Sequence, residues 1–394
     1  MRAGRPAVNL VLVVVAIDAL GFGIVIPIVP NLVQALSGEP AGPASLHVGA
    51  LVATFAAAQF LLAPVLGGLS DSYGRRTVIL ISITGVAANY LLLTWAPSLP
   101  WLFLGRFLAG ATAANFSAAN AYIADVTPPE ERARRFGQVG AVFGAAFVLG
   151  PAIGGLAGAV WLRLPFLLAA GLAGCNALYG LFLLPESLPP ERRRAFAWRR
   201  ANPVGSFGTL AADGVAARLG LAWCCMWFAL GSLQSVFVLF TGLRLGWGPG
   251  LNGSAMAAIG VTQAVVQGLL VRRVVGRLGE RRTAMLGQLF SLGAYLMFAF
   301  TRSGCMIYAA VVLQGCGSMA NPAVNALLSA RAGPDRQGAM QGALAGMQGL
   351  TAIASPLVAA TLFARFAGAG LPGAPFLLAA CMFLFALLLV RKAR

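Results

Sequence analysis

Two charged residues, Asp18 and Arg106, fall deep inside apolar stretches of this chain, where charge is otherwise nearly absent. Asp18 opens the segment Asp18-Ala-Leu-Gly21-Phe-Gly23-Ile-Val-Ile-Pro27-Ile-Val-Pro30. It lies about ten residues past the expected start of a helix, and at 1.5 Å per residue that is ~15 Å, close to the middle of a ~30 Å hydrocarbon layer. Such a carboxylate is expensive when ionised and unpaired. Burial penalises the charged form, so the group can bind and release a proton, as proton coupling requires. Gly21, Gly23, Pro27 and Pro30 loosen and bend the same helix, which suits a moving, cavity-lining element. Arg106, in Leu104-Gly-Arg106-Phe-Leu-Ala-Gly110, needs a partner at that depth; Asp18 and amide oxygens are the candidates. For each residue the competing reading is a structural charge tied to neighbouring backbone or amides.

Neutral polar side chains supply the remaining candidates for a substrate cavity. They are Gln59, Asn89, Asn115, Asn120, Gln234, Gln263, Gln267 and Ser291, with Phe22, Phe60 and Trp227 as aromatic walls. Helix packing or lipid exposure competes for every one of them. No metal site is expected: His47 is the only histidine, and the six cysteines form neither a CxxC nor a Cys/His pattern. No nucleophile–base pair or phosphate loop is visible, so neither an enzyme nor a cofactor is expected.

These residues must be positioned by helices in lipid. Of 394 residues 59% are hydrophobic and 10% charged, against about 25% charged in soluble domains. The apolar runs predict helices over 8–36, 48–69, 77–96, 100–123, 135–158 and 165–184. A second set is predicted over 216–241, 252–271, 283–301, 304–327, 338–363 and 374–390. The first is read as an uncleaved helix, since no A-x-A-like site follows a short apolar core. The expected fold is an all-α membrane protein of twelve transmembrane helices, with a bundle over 1–184, a connector over 185–215 and a second bundle over 216–394. With the amino terminus placed in the cytoplasm, 23 of the 28 basic residues fall on that side, four fall outside (Arg163, Arg244, Arg302, Arg365) and Arg106 lies within a helix. Both termini are then cytoplasmic, and the net charge of +17 reports topology rather than nucleic-acid binding. The basic stretch from Glu191 to Arg200 reads as a solvated linker reinforcing orientation, with anionic lipid headgroups or a partner as the alternative.

The halves repeat one another. Pro165-Phe-Leu-Leu-Ala-Ala170 recurs as Pro375-Phe-Leu-Leu-Ala-Ala380. At a spacing of 205, Gly74, Arg76, Gly137, Gly144 and Pro151 match Gly279, Arg281, Gly342, Gly349 and Pro356. Two parallel repeats around a central site are the architecture of a rocking transporter.

Between the second and third helices lies Gly67-Gly-Leu-Ser-Asp71-Ser-Tyr-Gly74-Arg75-Arg76. Asp71 closes a helix, Gly74 permits a tight turn, and the arginines can pair with acids on neighbouring helix ends, a charge lock that forms in one state and breaks in another. The segment resembles the signature loop of the major facilitator superfamily except at Ser72, where that family usually has arginine. Gly279-Glu-Arg-Arg282 is a degraded second copy. The run around Arg106 resembles that family's fourth-helix motif, whose arginine is linked with proton transfer. Gly144 to Gly155, with Gly150, Pro151, Gly154 and Gly155, resembles its antiporter motif, which marks exporters.

Across nearly the whole chain the resemblance is to the bacterial tetracycline:proton antiporters. It is carried by Asp18 to Pro30, Gln59 with Pro64, Tyr122-Ile-Ala-Asp125, Leu239-Phe-Thr with Gly246-Trp247, and Gln337 to Gly342. It implies a proton-coupled exporter of amphipathic small molecules, a monomer in the bacterial inner membrane, with substrate, proton and lipid as its partners. The third-helix acid of that family falls on Asn89, its ninth-helix acid on Ser291 and its eighth-helix histidine on Gln263. These three neutral residues favour an alternative, an uncoupled or differently coupled metabolite exporter or uniporter of the same fold; a sensor or assembly protein derived from it is a third reading, against which the intact signature loop stands. The neutral residues also leave tetracycline itself open as the cargo.

Overall fold

In a chain this apolar, the backbone's own polar groups must be satisfied along each segment, and helices do that. The computed structural model describes residues 5–113, 115–196, 213–332 and 337–393, and among these every regular element is helical. The helices are α1 (Arg5–Val25), α2 (Val29–Ser37), α3 (Ala41–Tyr73), α4 (Arg75–Thr94), α5 (Leu99–Thr112), α6 (Asn115–Val126), α7 (Pro129–Val160) and α8 (Leu164–Leu183). After a short 3₁₀ turn at Pro190–Arg192 come α9 (Gly214–Leu245), α10 (Pro249–Val265), a π-helical turn (Val266–Leu270), α11 (Val271–Ala299), α12 (Gly304–Gly317), α13 (Ala320–Ala332), α14 (Gln337–Ala367) and α15 (Ala374–Lys392). Residues 197–212 of the expected connector lie outside the described residues.

Several expected helices differ in continuity. The run 8–36 is two helices, α1 and α2, because Pro27 and Pro30 supply no backbone N–H where the chain turns. The runs 100–123 and 304–327 are also broken, at Ala113 and at Ser318–Met319. Conversely, 252–271 and 283–301 join into one helical stretch from Pro249 to Ala299, bent at Gly279, whose φ of 76° suits glycine. The charged run between them is compatible with a helix once it is in water. Nine helices among the described residues are long and apolar enough to cross a membrane, with that joined stretch counted once.

Contacts divide the chain into two compact units, Met1–Leu32 with Thr54–Asn202, and Val33–Ala53 with Pro203–Arg394. Lipid tails are as apolar as leucine, so association within a unit rests on close packing of small residues. In the first unit α1 meets α7 through glycine: a Cβ on Gly150 would stand 2.6 Å from the Gly23 Cα, and one on Gly154 would collide with the Ile24 carbonyl. Toward the start of α1, Val8, Val11 and Val15 pack with Ile79 and Ile83 of α4 and Tyr122 and Ile123 of α6.

The second unit is centred on aromatic rings. Phe240 and Phe376 meet edge-on at 4.8 Å, Phe298 lies 5.8 Å from Phe376, and Tyr295 lies 5.2 Å from Phe383. These contacts tie α9, α11 and α15 together. The first half of α3 packs on α14 within this unit, where the buried Ser45 hydroxyl donates to the Ala360 carbonyl at 2.9 Å. A Cβ on Gly49 would stand 2.6 Å from that of Ala360.

Candidate functional site

Inside the first unit the two intramembrane charges share a neighbour. Asp18 on α1, three residues before Gly21, is half-buried. Gly21 faces the ring of Tyr90 on α4, with Tyr90 Cε2 at 3.6 Å from where a Cβ would stand. The phenol of Tyr90, 7% exposed, feels the field of both the Asp18 carboxylate and the Arg106 guanidinium on α5. The preceding residue, Asn89, is 2% exposed, and its Oδ1 points at Gly105, 2.8 Å from a Cβ built there. That oxygen has no hydrogen-bond partner. Adjacent positions on α4 thus carry a buried phenol and an open amide oxygen, the oxygen facing Gly105, the residue before Arg106. One helical turn before Asp18, the fully buried Asn176 of α8 donates from its amide nitrogen to the Val14 carbonyl at 3.0 Å. This holds the Asp18 segment against α8. Within a low-dielectric bundle, hydrogen bonds and charges at such a cluster act more strongly than in water.

At the end of α3 the signature loop is closed by a network. Arg75 reaches Asp71 Oδ1 at 2.5 Å and Asp125 Oδ2, at the end of α6, at 3.2 Å. Gly74 has φ 104°, a left-handed conformation that favours glycine, and a Cβ there would strike the Glu186 carboxylate. Glu186 Oε1 accepts from the backbone N–H groups of Arg75 at 2.9 Å, Arg76 at 3.4 Å and Leu188 at 3.1 Å. A carboxylate on the first turn of α4 satisfies donors that no intrahelical acceptor reaches, and it sits at the positive end of the helix dipole. Arg76 donates to the Leu181 carbonyl at 2.6 Å at the end of α8. Its repeat partner Arg281 likewise donates to Val390 at 3.2 Å at the end of α15. At Ser72, where the resemblance lapses, the hydroxyl donates to the Gly68 and Arg194 carbonyls at 3.0 and 2.8 Å. The connector thereby folds back on the loop, and Arg194 also donates its N–H to the Asp71 carbonyl at 3.1 Å. Gly67 stands clear of other side chains.

Other expected site residues are dispersed. Gly150 and Gly154 make the α1–α7 crossing, Pro151 packs on Gly23, and Gly155 is buried. Gln59 and Asn120 are half-buried in the first unit. The side chain of Asn115 lies outside the described residues. In the second unit Gln234 and Gln267 are exposed and Gln263 is half-buried. Gln267 occupies the π-helical turn, a feature frequent at functional sites. Ser291 is buried where α11 crosses the end of α12, against Gly317. Tyr90, Asn176 and Glu186 of the first unit were not singled out from sequence. Tyr90 is an ordinary aromatic in an apolar helix, and its position two turns from Ser82 says nothing of Asp18. Glu186 is separated from Arg75 by 111 residues; the only signal was a lone acid after a helix end.

The chain is similar to known proteins. The Major Facilitator Superfamily model matches residues 11–301 and 245–394. The class C tetracycline resistance protein of Escherichia coli is 38% identical over 339 residues, covering 86% of this chain and 85% of that protein. The class G protein of Vibrio anguillarum is 34% identical over 397 residues, 98% of each. Among solved structures, the human organic anion transporter MFSD10 (TETRAN) matches with a TM-score of 0.73 at 26% identity, over 99% of this chain and 100% of that one. A bacterial homolog of the human lysosomal transporter Spinster shares the fold, with a TM-score of 0.80 at 16% identity over 99% and 97% of the two chains. These neighbours are membrane transporters rather than enzymes. The chain is a multi-pass membrane protein that belongs to the major facilitator superfamily of transporters, within the family of the tetracycline resistance proteins.

Proposed function

We propose that the protein is a secondary active transporter of a bacterial inner membrane, exporting small amphipathic molecules of the tetracycline kind in exchange for protons by alternating access. The observation that carries this reading is the convergence of Asp18, Tyr90, Arg106 and the open amide oxygen of Asn89 inside one bundle. Asp18 takes a proton from outside and releases it inside. Arg106 favours the ionised carboxylate once the proton leaves, and Tyr90 stands within the field of both. Asn89, Gln59, Asn115 and Asn120 offer the substrate neutral hydrogen-bonding groups from the first half, and Gln234, Gln263, Gln267 and Ser291 from the second. The network of Asp71, Arg75 and Asp125 acts as the lock that stabilises one state, and the glycines of α7 let α1 slide or tilt.

In this reading the chain crosses the membrane twelve times as a monomer, with both termini cytoplasmic and halves over 1–184 and 216–394. Counting α5 with α6 and α12 with α13 as one span each, and dividing the stretch from Pro249 to Ala299 at Gly279, brings the nine long helices to that number. A second reading, an uncoupled exporter or uniporter, is favoured by the neutral residues Asn89, Gln263 and Ser291 at the positions of the family's other titratable groups. Everted vesicles separate the two. Proton antiport predicts tetracycline accumulation that collapses with ΔpH, and accumulation indifferent to ΔpH supports the uncoupled reading.

A further inference from the structure

Among the enclosed polar groups that the second unit leaves without partners, four lie along two turns of α9. Trp223 and Trp227 stand one turn apart with ring centroids 5.7 Å from each other. Neither indole Nε1–H has an acceptor, although both nitrogens are enclosed by protein. Between them in sequence is Met226, whose sulfur accepts a weak contact from Gln288 Nε2 on α11 at 3.7 Å. Gln288 is 0% exposed, and its Oε1 is unpartnered. One turn beyond Trp227, Gly231 lies against Ser355 of α14, and only glycine leaves room for that hydroxyl. Ser355 is 0% exposed, and its Oγ also lacks a partner.

A packed core does not ordinarily retain four such groups, because each gives up its bonds to water and gains none in return. The bland account, an indole filling space, covers one tryptophan. It does not cover two indole donors, an amide acceptor and a hydroxyl within about 12 Å of helix. Trp227 and Gly231 are half-buried, and Gln234, next along that face of α9, is exposed.

We infer that Trp223, Trp227, Gln288 and Ser355 form a binding subsite for an elongated, oxygen-bearing ring system. The rings of the ligand lie against the two indoles. Its keto or enolate oxygens accept from the indole N–H groups and the Ser355 hydroxyl, and one of its hydroxyls donates to Gln288 Oε1. No charge is required in this subsite, which suits a protein with neutral Gln263 and Ser291 in the same unit. The inference rests on the export reading for its substrate class, but it concerns binding alone.

The test is equilibrium binding of labelled tetracycline to the purified full-length protein, alongside tetraphenylphosphonium, a ring-rich cation with no oxygen. Gln288→Met keeps the volume and removes the open oxygen. Ser355→Ala and Trp227→Phe are smaller changes that decide the matter if Gln288→Met does not fold. Each is expected to weaken tetracycline binding about tenfold, as the loss of one buried hydrogen bond does, and to leave tetraphenylphosphonium binding unchanged. Variants that bind tetracycline as the parent does, or a parent that prefers the oxygen-free cation, overturn the inference. The export reading fails separately, by flux in vesicles that ignores ΔpH, and that result leaves this binding test intact.

Discussion

Glu186 accepts a hydrogen bond from the backbone N–H of Arg75 at 2.9 Å, although 111 residues separate them. The contact ties the segment after α8 to the first turn of α4, beside the Asp71–Arg75–Asp125 network. Losing a charged acceptor at a helix N-terminus costs about 1–2 kcal/mol. Glu186→Ala is therefore expected to lower the thermal midpoint of the detergent-purified protein, with Glu186→Gln intermediate because its amide oxygen still accepts. A midpoint unchanged in Glu186→Ala would remove this contact from the account.

The glycines of α7 divide by surroundings rather than by motif. Gly154 leaves no room for a Cβ against the Ile24 carbonyl, whereas nothing lies within 4 Å of a Cβ at Gly144. Overpacking at a close helix crossing costs about 1–3 kcal/mol or more. Gly154→Ala should lose expression and transport together, while Gly144→Ala, a helix-favouring change, should leave both intact. Thermal midpoints and vesicle uptake measured side by side check this.

Asn89 is buried, with its amide oxygen facing Gly105, the residue before Arg106. Asn89→Asp places a second carboxylate in this bundle, facing Gly105. The expected outcome is a transport rate whose dependence on external pH changes in steepness or midpoint. A profile superimposable on the parent's would mean that the amide lies outside the proton path.

At the start of α9, Asp213 accepts the Val215 N–H at 3.0 Å and pairs with Arg331 at 3.6 Å. The backbone bond first, and the guanidinium after it, hold this exposed carboxyl below its ordinary value of 3.8. A carboxylate with a depressed folded-state value contributes stability above its unfolded value and loses it as pH falls through the folded one. The parent should therefore melt above Asp213→Ala at neutral pH, and the gap should close as the pH is taken below 3.8. Melting curves across that range measure it.

Much of the site could be read from residue type alone. Asp18 and Arg106 were legible because charge inside an apolar run is expensive, and Pro27 and Pro30 marked the bend after them. Tyr90 and Asn176 were not, because their roles depend on which helices pack together, and an aromatic or an amide is unexceptional in either helix. The breaks at Ala113 and at Ser318–Met319 were likewise illegible, since no proline stands there. The charged run from Arg272 to Arg282 reads as a loop between two apolar runs, yet arginines and a glutamate are good helix formers, and the helix continues through most of it. The orphaned groups around Trp223 and Gln288 became visible only through side-chain packing.

The most direct test of the central claim is tetracycline uptake into everted vesicles with an imposed ΔpH, comparing the parent with Asp18→Asn. Proton antiport through one carboxylate predicts ΔpH-driven uptake by the parent and near-complete loss of it in Asp18→Asn. Uptake equal in the two proteins, and unaltered when ΔpH is collapsed, would contradict the account.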